Sequence, residues 1–383
     1  MKKFHLKESI IRIKAISKKE IRQLLRDVRM LGVIFLFPIF LLIVFGYAIN
    51  FDVRHVKIAV YDLDKSTLSK SYIQSLISSE YFDLAGYIEK DSHIKRILDE
   101  NLAQCVIVIP ENFSKEINSN RTAKIQYLID GVQGNTATLI MNYVNIATAD
   151  LSKKITVEFL ERMGTKLFIP IQLEPRFWFN PELNSTRFLL PGLIGMILIL
   201  VAVVTISLSI VREKEKGTIE QLNVSSLSVN ELLLGKIIPY VIIAFINAGI
   251  VLLAGYLFFD ITIKGSFIWL TICTFIFLTA SLGMGIIVSV IADSLQVAFQ
   301  IGTLISLLPS LLLSGFIFPI ESMPVIIQII TNITPTKFYI ACLRAILLKG
   351  AGVENYWQQL LYMILFSIIS VSIAAKAYLK KIS

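Results

Sequence analysis

Two short patterns carry the residue types that could do chemistry. In the run Asp62, Leu63, Asp64, Lys65, Ser66, two carboxylates stand at the end of a β-rich stretch, where such groups can bind a cation or divide acid and base work. The same residues serve equally as a turn leading into a helix, with Asp64 or Ser66 as the cap, and that is the commoner use of the pattern. The second pattern is the charged run Arg212, Glu213, Lys214, Glu215, Lys216, followed by Gly217, Thr218, Glu220 and Gln221. Catalytic signatures are missing. There is no HExxH, no GxSxG and no glycine-rich phosphate loop, and Gly235-Lys236 is followed by Ile237 without the upstream glycine of GxxxxGK[ST]. The 3 cysteines, Cys105, Cys273 and Cys342, form no CxxC pair, and the 3 histidines are scattered. Neither a metal site nor a disulfide framework is expected.

What must position these residues follows from composition. Only 17% of the 383 residues are charged while 55% are hydrophobic, against about 25% charged in soluble proteins. Mean hydropathy is +0.70, which disfavours a purely soluble enzyme. A net charge of +9 would suggest nucleic acid in a soluble chain, but here the basic excess sits at the two ends, and no nucleic-acid partner is expected. Six runs lack Asp, Glu, Lys and Arg altogether: 31–49, 188–211, 237–259, 266–292, 294–320 and 357–375. A bilayer's hydrocarbon core, roughly 30 Å thick, is crossed by about 20 helical residues. Each run is therefore read as a transmembrane helix. No span then carries an ionisable side chain, so a proton relay or ion-coupled carrier lacks its parts.

The ten basic residues before the first run place the N-terminus in the cytoplasm, and six crossings return the C-terminus to the same side. Residues 1–30 read as a basic cytoplasmic segment in which Ile10, Ile13, Ile21, Leu24 and Val28 recur at helical spacing. Such a helix can lie against anionic membrane lipid. The alternative is a basic tail without fixed structure. Residues 31–49 form the first span, 50–187 an external domain, and 188–383 a five-helix transmembrane domain. Within 50–187, residues 56–62, 82–88, 105–110 and 123–130 read as strands, and 65–79, 91–101 and 135–163 as helices, the pattern of a small mixed α/β layer. Ser281, Gly285 and Ser289 give a small-residue face for close helix packing. The run 321–333 is too short and proline-broken to span, and with 338–348, which holds Arg344, it reads as a pair of external short helices within 321–348.

Several stretches resemble the permease subunits of ABC-type 2 exporters, in the bacterial multidrug and efflux branch with an external α/β domain. They are residues 60–76, 108–117, 174–198 and 335–350 and, most specifically, the RE-x-E-x-GT-x-EQL pattern starting at Arg212. The fold class is accordingly an α-helical polytopic membrane protein with six transmembrane helices and an α/β domain inserted between the first and second. The resemblance implies a membrane permease subunit that moves a drug-like, lipid-like or ionic substrate outward across the cytoplasmic inner membrane. The α/β domain would be periplasmic. Energy would come from a separate nucleotide-binding ATPase subunit, which would hold the ATP and Mg that this chain does not.

On this likeness segment 212–236 couples to the ATPase, through Arg212, Glu213, Glu215, Gly217, Thr218, Glu220 and Gln221. The charged residues would end the second span at the membrane surface, Gly217 would permit a bend, and 218–222 would begin a short helix. Ser228 and Glu231 would then form a capping box before the third span. An ordinary polar loop is the alternative. The family works as a dimer, so a second permease copy or a paralogue is expected, with membrane lipid and a periplasmic adaptor as further partners. Candidate residues of the transport path are Thr205, Ser207 and Ser209 in the second span and Thr303, Ser306 and Ser310 in the fifth. Hydroxyls in a mostly apolar cavity would suit amphipathic cargo, and equally they can bond their own helix backbone. A different class remains open: a membrane-anchored ligand-binding or assembly protein acting through its external domain.

Overall fold

A computed structural model describes residues 2–48, 56–78, 81–119, 121–132, 134–162, 178–179, 185–217 and 228–382. The chain divides into two units, Phe51–Arg176 and the combination of Met1–Asn50 with Phe177–Ser383.

The second of these is helical because its sequence offers long apolar runs whose backbone groups can only be satisfied internally. It contains α1 (Lys2–Arg26), α2 (Val28–Ala48), α7 (Ser185–Glu215), α8 (Val229–Phe259), α9 (Phe267–Ile291), α10 (Leu295–Leu312), α11 (Val325–Ile330), α12 (Pro335–Leu343) and α13 (Trp357–Ile382). Six of these helices are long and apolar enough to cross a membrane. α7 lies at the centre. Its most apolar stretch is 89% buried, against 22% in α2, α10 and α13, so those three present apolar flanks outward, as lipid-facing helices do. The small-residue face is used for close approach: a Cβ on Gly285 would lie 2.6 Å from the Val203 carbonyl oxygen of α7.

Two expectations about the spans change. α7 does not stop where the charges begin; it continues helically through Arg212, Glu213, Lys214 and Glu215 before Gly217, at φ +67°, turns the chain. Left-handed backbone of this kind favours glycine. The fifth span is shorter than the uncharged run 294–320, because α10 ends at Leu312, shortly after Pro309, and Gly315 takes φ +75°. In α1 the residues buried against the protein are Ile16, Glu20 and Leu24, whereas Ile10 and Ile21, and Val28 at the start of α2, are exposed. α11 with its following turn, Val325–Ile333, meets Pro335–Lys349 at 91°, the bent pair of short helices read from the prolines. The last of these continues α12 as a π-helical turn, Arg344–Lys349.

The other unit holds a four-stranded sheet in the order β2-β1-β3-β4, with β1 Val56–Asp62, β2 Phe82–Tyr87, β3 Cys105–Ile109 and β4 Gln126–Ile129. β1 is parallel to β2 and β3, and β4 is antiparallel to β3. Alternation along the strands separates two faces. Val56, Ile58, Val60, Cys105 and Ile107 pack with Tyr72, Ile73 and Leu76 of α3 (Thr67–Ile77) and with Ile140 and Val144 of α6 (Gly134–Arg162). Ala59 and Val106 pack on the opposite side with Ile94 of α4 (Ser92–Asp99). α3 and α4 must lie on opposite faces, because the chain steps one way from β1 to β2 and the other way from β2 to β3, and parallel crossovers keep one hand. The short helix α5, Phe113–Asn118, adds Phe113 to the first face.

Candidate functional site at the charged end of the helical unit

The carboxylates Asp62 and Asp64 belong to a turn. Asp62 accepts hydrogen bonds from the Asp64 and Lys65 backbone N–H groups at 3.1 and 3.0 Å and from the Ser69 hydroxyl at 2.7 Å. Asp64 accepts from the Ser114 N–H and hydroxyl at 3.2 and 2.9 Å. Ser66, not Asp64, caps α3, accepting from Ser69 N–H. Among the described residues no three His, Cys, Asp or Glu side chains gather to hold a metal ion. The three cysteines are free and buried.

The second charged pattern is built into a cluster. Because α7 stays helical past Val211, Glu213 points into the protein and is 3% exposed. There it meets Lys236, which opens the apolar part of α8 and is 1% exposed. Lys236 Nζ donates to Glu213 and, at 3.1 Å, to Glu20 Oε1 of α1, itself 2% exposed. Lys19 adds a second ammonium on Glu213 from the partly exposed edge. Ser209 Oγ donates to the other Glu20 oxygen at 3.2 Å. Two buried carboxylates thus face two ammonium groups, so no charge is left uncompensated, which is the condition for such a group to be tolerated.

Neighbouring residues tie the end of α7 to the α1–α2 junction and to the α9–α10 turn. Arg212 pairs with Asp27 at 2.7 Å, and Asp27 also accepts from Met30 N–H, fixing the junction of α1 and α2. Lys214 Nζ donates to the Ala292 carbonyl at 2.7 Å and to Asp293 at 2.8 Å, in the turn between α9 and α10. Glu215 accepts from Leu295 N–H at 2.8 Å, at the start of α10, where the free N–H groups and helix dipole favour a carboxylate. α1 lies directly on α8: a Cβ on Gly235 would lie 2.7 Å from Ile16 Cβ, and Ser17 Oγ donates to the Gly235 carbonyl at 2.9 Å. The capping box of Ser228 and Glu231 forms as its spacing predicts, and Glu231 also faces Arg12 at 3.7 Å.

Of the expected coupling residues, Arg212, Glu213, Glu215 and Gly217 fall together at this end of α7, with Glu213 buried in it. Thr218, Glu220 and Gln221, and the short helix expected at 218–222, lie outside the described residues. Glu20, Lys19, Asp27 and Lys236 were not singled out by sequence reasoning. A signal existed: Glu20 interrupts the stripe of Ile13, Ile16, Ser17 and Leu24, and Lys236 and Glu213 flank two uncharged runs at the same end. The helices extend beyond the uncharged runs and bury charge at their ends, Glu213 just past run 188–211 and Lys236 just before run 237–259.

The path candidates are spread differently. Ser209 belongs to the charge cluster. Ser207 donates to the Val204 carbonyl at 2.9 Å and Ser306 to Gly302 at 2.6 Å, each within its own helix. Ser310 and Thr336 share a hydrogen bond of 2.9 Å. Thr205 is buried, and the Thr303 hydroxyl is buried without a partner among the described residues. All six sit inside the packing of a single chain.

The family model that matches this chain is described as ABC-2 family transporter protein and covers residues 28–376. The chain is 30% identical over 340 residues to the probable multidrug ABC transporter permease YbhS of Escherichia coli (strain K12), covering 88% of this chain and 89% of that protein. It is 29% identical over 371 residues to the probable multidrug ABC transporter permease YbhR of the same organism, covering 97% and 99%. ABC transporter G family member 20 of Dictyostelium discoideum is 23% identical over 377 residues, 96% of this chain but 50% of that longer protein.

Proposed function

The chain belongs to the ABC-2 family of transporter proteins, and from that premise we propose that it is the permease subunit of an exporter, driven by a separate ATPase that docks at the charged end of α7. It is a multi-pass membrane protein of the bacterial permease type, acting in transport rather than as a catalytic enzyme. The finer reading is ours. Cargo of drug-like, lipid-like or ionic kind moves outward across the inner membrane. Both termini and segment 212–236 are cytoplasmic. Residues 50–187 form the periplasmic domain, able to meet an adaptor, while 321–348 lie at the outer face. ATP and Mg are held by the partner, and two permease chains, identical or paralogous, form the dimer that the family arrangement implies.

The observation that carries this reading is the connection of the end of α7, immediately before Gly217, to α1 and α8 through Glu213 and to the α9–α10 turn through Lys214 and Glu215. A segment pushed by the ATPase at 218–227 would move α7 and α1 together, because buried ion pairs cannot be separated cheaply. The hydroxyls of Thr205, Ser207, Thr303, Ser306 and Ser310 are covered in the present packing, so they reach cargo only when α7 and α10 part.

The test is affinity purification of the tagged chain from mild detergent, with identification of its partners and an ATPase assay. Recovery of a nucleotide-binding subunit whose hydrolysis responds to changes in 212–236 supports the proposal. A folded preparation without such a subunit contradicts it.

A further inference from the structure

Arg344 is the charged group for which the transport scheme above has no use. Its guanidinium carbon stands 4.0 Å from the centroid of the Phe188 ring. Nη2 reaches the carbonyl oxygens of Phe188 and Phe316 at 3.4 and 3.5 Å, longer than the roughly 2.7–2.9 Å of charge-assisted hydrogen bonds. Nε is buried with no hydrogen-bond partner. Among the described residues no carboxylate lies within ion-pair distance of it, whereas Arg212, Lys214 and Lys236 each have one. Lys337, nearby in sequence, is met by Thr331 Oγ1 at 2.9 Å and Asn332 Oδ1 at 2.8 Å. Glu321 is the carboxylate whose charge acts on Arg344, from beyond ion-pair distance, and it leaves the buried Nε donor without an acceptor.

The level of Arg344 in the helical unit says which anion that donor would meet. Phe188 and Glu213 are 213 − 188 = 25 residues apart on α7, about 37 Å at 1.5 Å per residue. That lies between the roughly 30 Å of a bilayer's hydrocarbon core and the ~40–45 Å that includes both headgroup regions. With the Glu213 cluster at one membrane surface, Arg344 falls at the phosphate level of the other. Beside it, α2 and α7 leave an apolar recess lined by Phe45, Gly46, Thr186, Leu190, Leu193 and Phe316. Phe316, whose carbonyl faces Arg344, is shared by both features. An arginine merely snorkelling to water would expose its donors; here Nε is covered.

We propose that Arg344 and this recess form a phospholipid site, the guanidinium holding the phosphodiester and the recess, with about 180 Å³ of open space, receiving only the first methylenes of an acyl chain whose remainder lies along the apolar flank of α2. The planar fork of Arg suits two phosphate oxygens at once.

The test is thermal unfolding of the purified full-length chain in mild detergent, titrated separately with phosphatidylglycerol, diacylglycerol and inorganic phosphate. Phosphatidylglycerol is expected to raise the unfolding midpoint of the wild type, while the other two leave it unchanged. Arg344→Gln should weaken the apparent affinity about tenfold or more, the size of losing a charged hydrogen bond. Thr186→Phe, which keeps the cation and fills the recess from its rim, should weaken it as well. An equal response to diacylglycerol would reduce the site to an apolar groove, and one to inorganic phosphate would reduce it to a free-anion site. Either result overturns the proposal, as does phosphatidylglycerol binding that survives both substitutions. Transport plays no part in this readout, so its outcome is independent of the exporter assignment.

Discussion

Asp62 and Asp64 in the α/β unit, neighbours in sequence, and Glu20 and Glu213 in the helical unit, brought to one lysine by folding, are both pairs of carboxylates, yet they are satisfied in opposite ways. The aspartates take neutral donors, backbone N–H groups and serine hydroxyls within a few residues or one strand away. The glutamates take ammonium groups from another helix, across 216 and 23 residues of sequence in the case of Lys236. A turn needs only local donors, and its carboxylates fix a shape. A cluster assembled from three helices fixes those helices to one another, which is what transmission of movement requires.

The largest effect is expected from Lys236→Met, which leaves two buried carboxylates with only the partly exposed Lys19. Breaking a buried pair costs about 3–5 kcal/mol, and denaturant unfolding in detergent should read a loss of that order with α1 released to protease. The comparison sharpens in the triple variant Glu20→Met, Glu213→Met, Lys236→Met. Replacement of a whole ion cluster by apolar side chains is often neutral, so this protein should unfold near the wild-type midpoint while its transport falls. A triple variant less stable than Lys236→Met alone would mean the cluster contributes net stability.

Asp62→Ala should cost about 1–3 kcal/mol by leaving the donors of the turn unpaired. Hydrogen exchange in the full chain should quicken in β1 and α3 and not in α7, and chelators should change nothing. Gly217→Ala should cost only about 1 kcal/mol, from the left-handed backbone, because nothing lies within 4 Å of a Cβ placed there; the unfolding midpoint reads it. Smallest is the Cys105 thiol, which burial in β3 pushes up to about 12. Iodoacetamide at pH 8 should leave it unmodified in the folded chain, whereas rapid labelling would show β3 to be open.

Local chemistry made much of this fold legible. β1 and the bounds of α3, α4 and α6 fall within a few residues of where alternation, serine caps and helical spacing put them, and the capping box at Ser228 forms as its spacing states. The end of α10 was not readable from charge, since residues 313–320 are as uncharged as the helix before them and only Pro309 and Gly315 mark the break. The burial of Glu213 was hidden for a related reason. A hydropathy run ends at the first charge, but a helix ends where its backbone turns, here at Gly217. Glu20 and Lys236 form a site only through packing of α1 on α8, a contact that depends on the close approach at Gly235 and leaves no periodic trace.

The most direct measurement of coupling is the ratio of cargo moved to ATP hydrolysed in proteoliposomes containing the permease and its co-purified ATPase, compared between wild type and Gly217→Pro. With a tagged ATPase confirming normal assembly, the variant is expected to hydrolyse ATP while moving little cargo. A ratio equal to the wild type would contradict the assignment of the charged end of α7 as the point where the ATPase acts on the membrane helices.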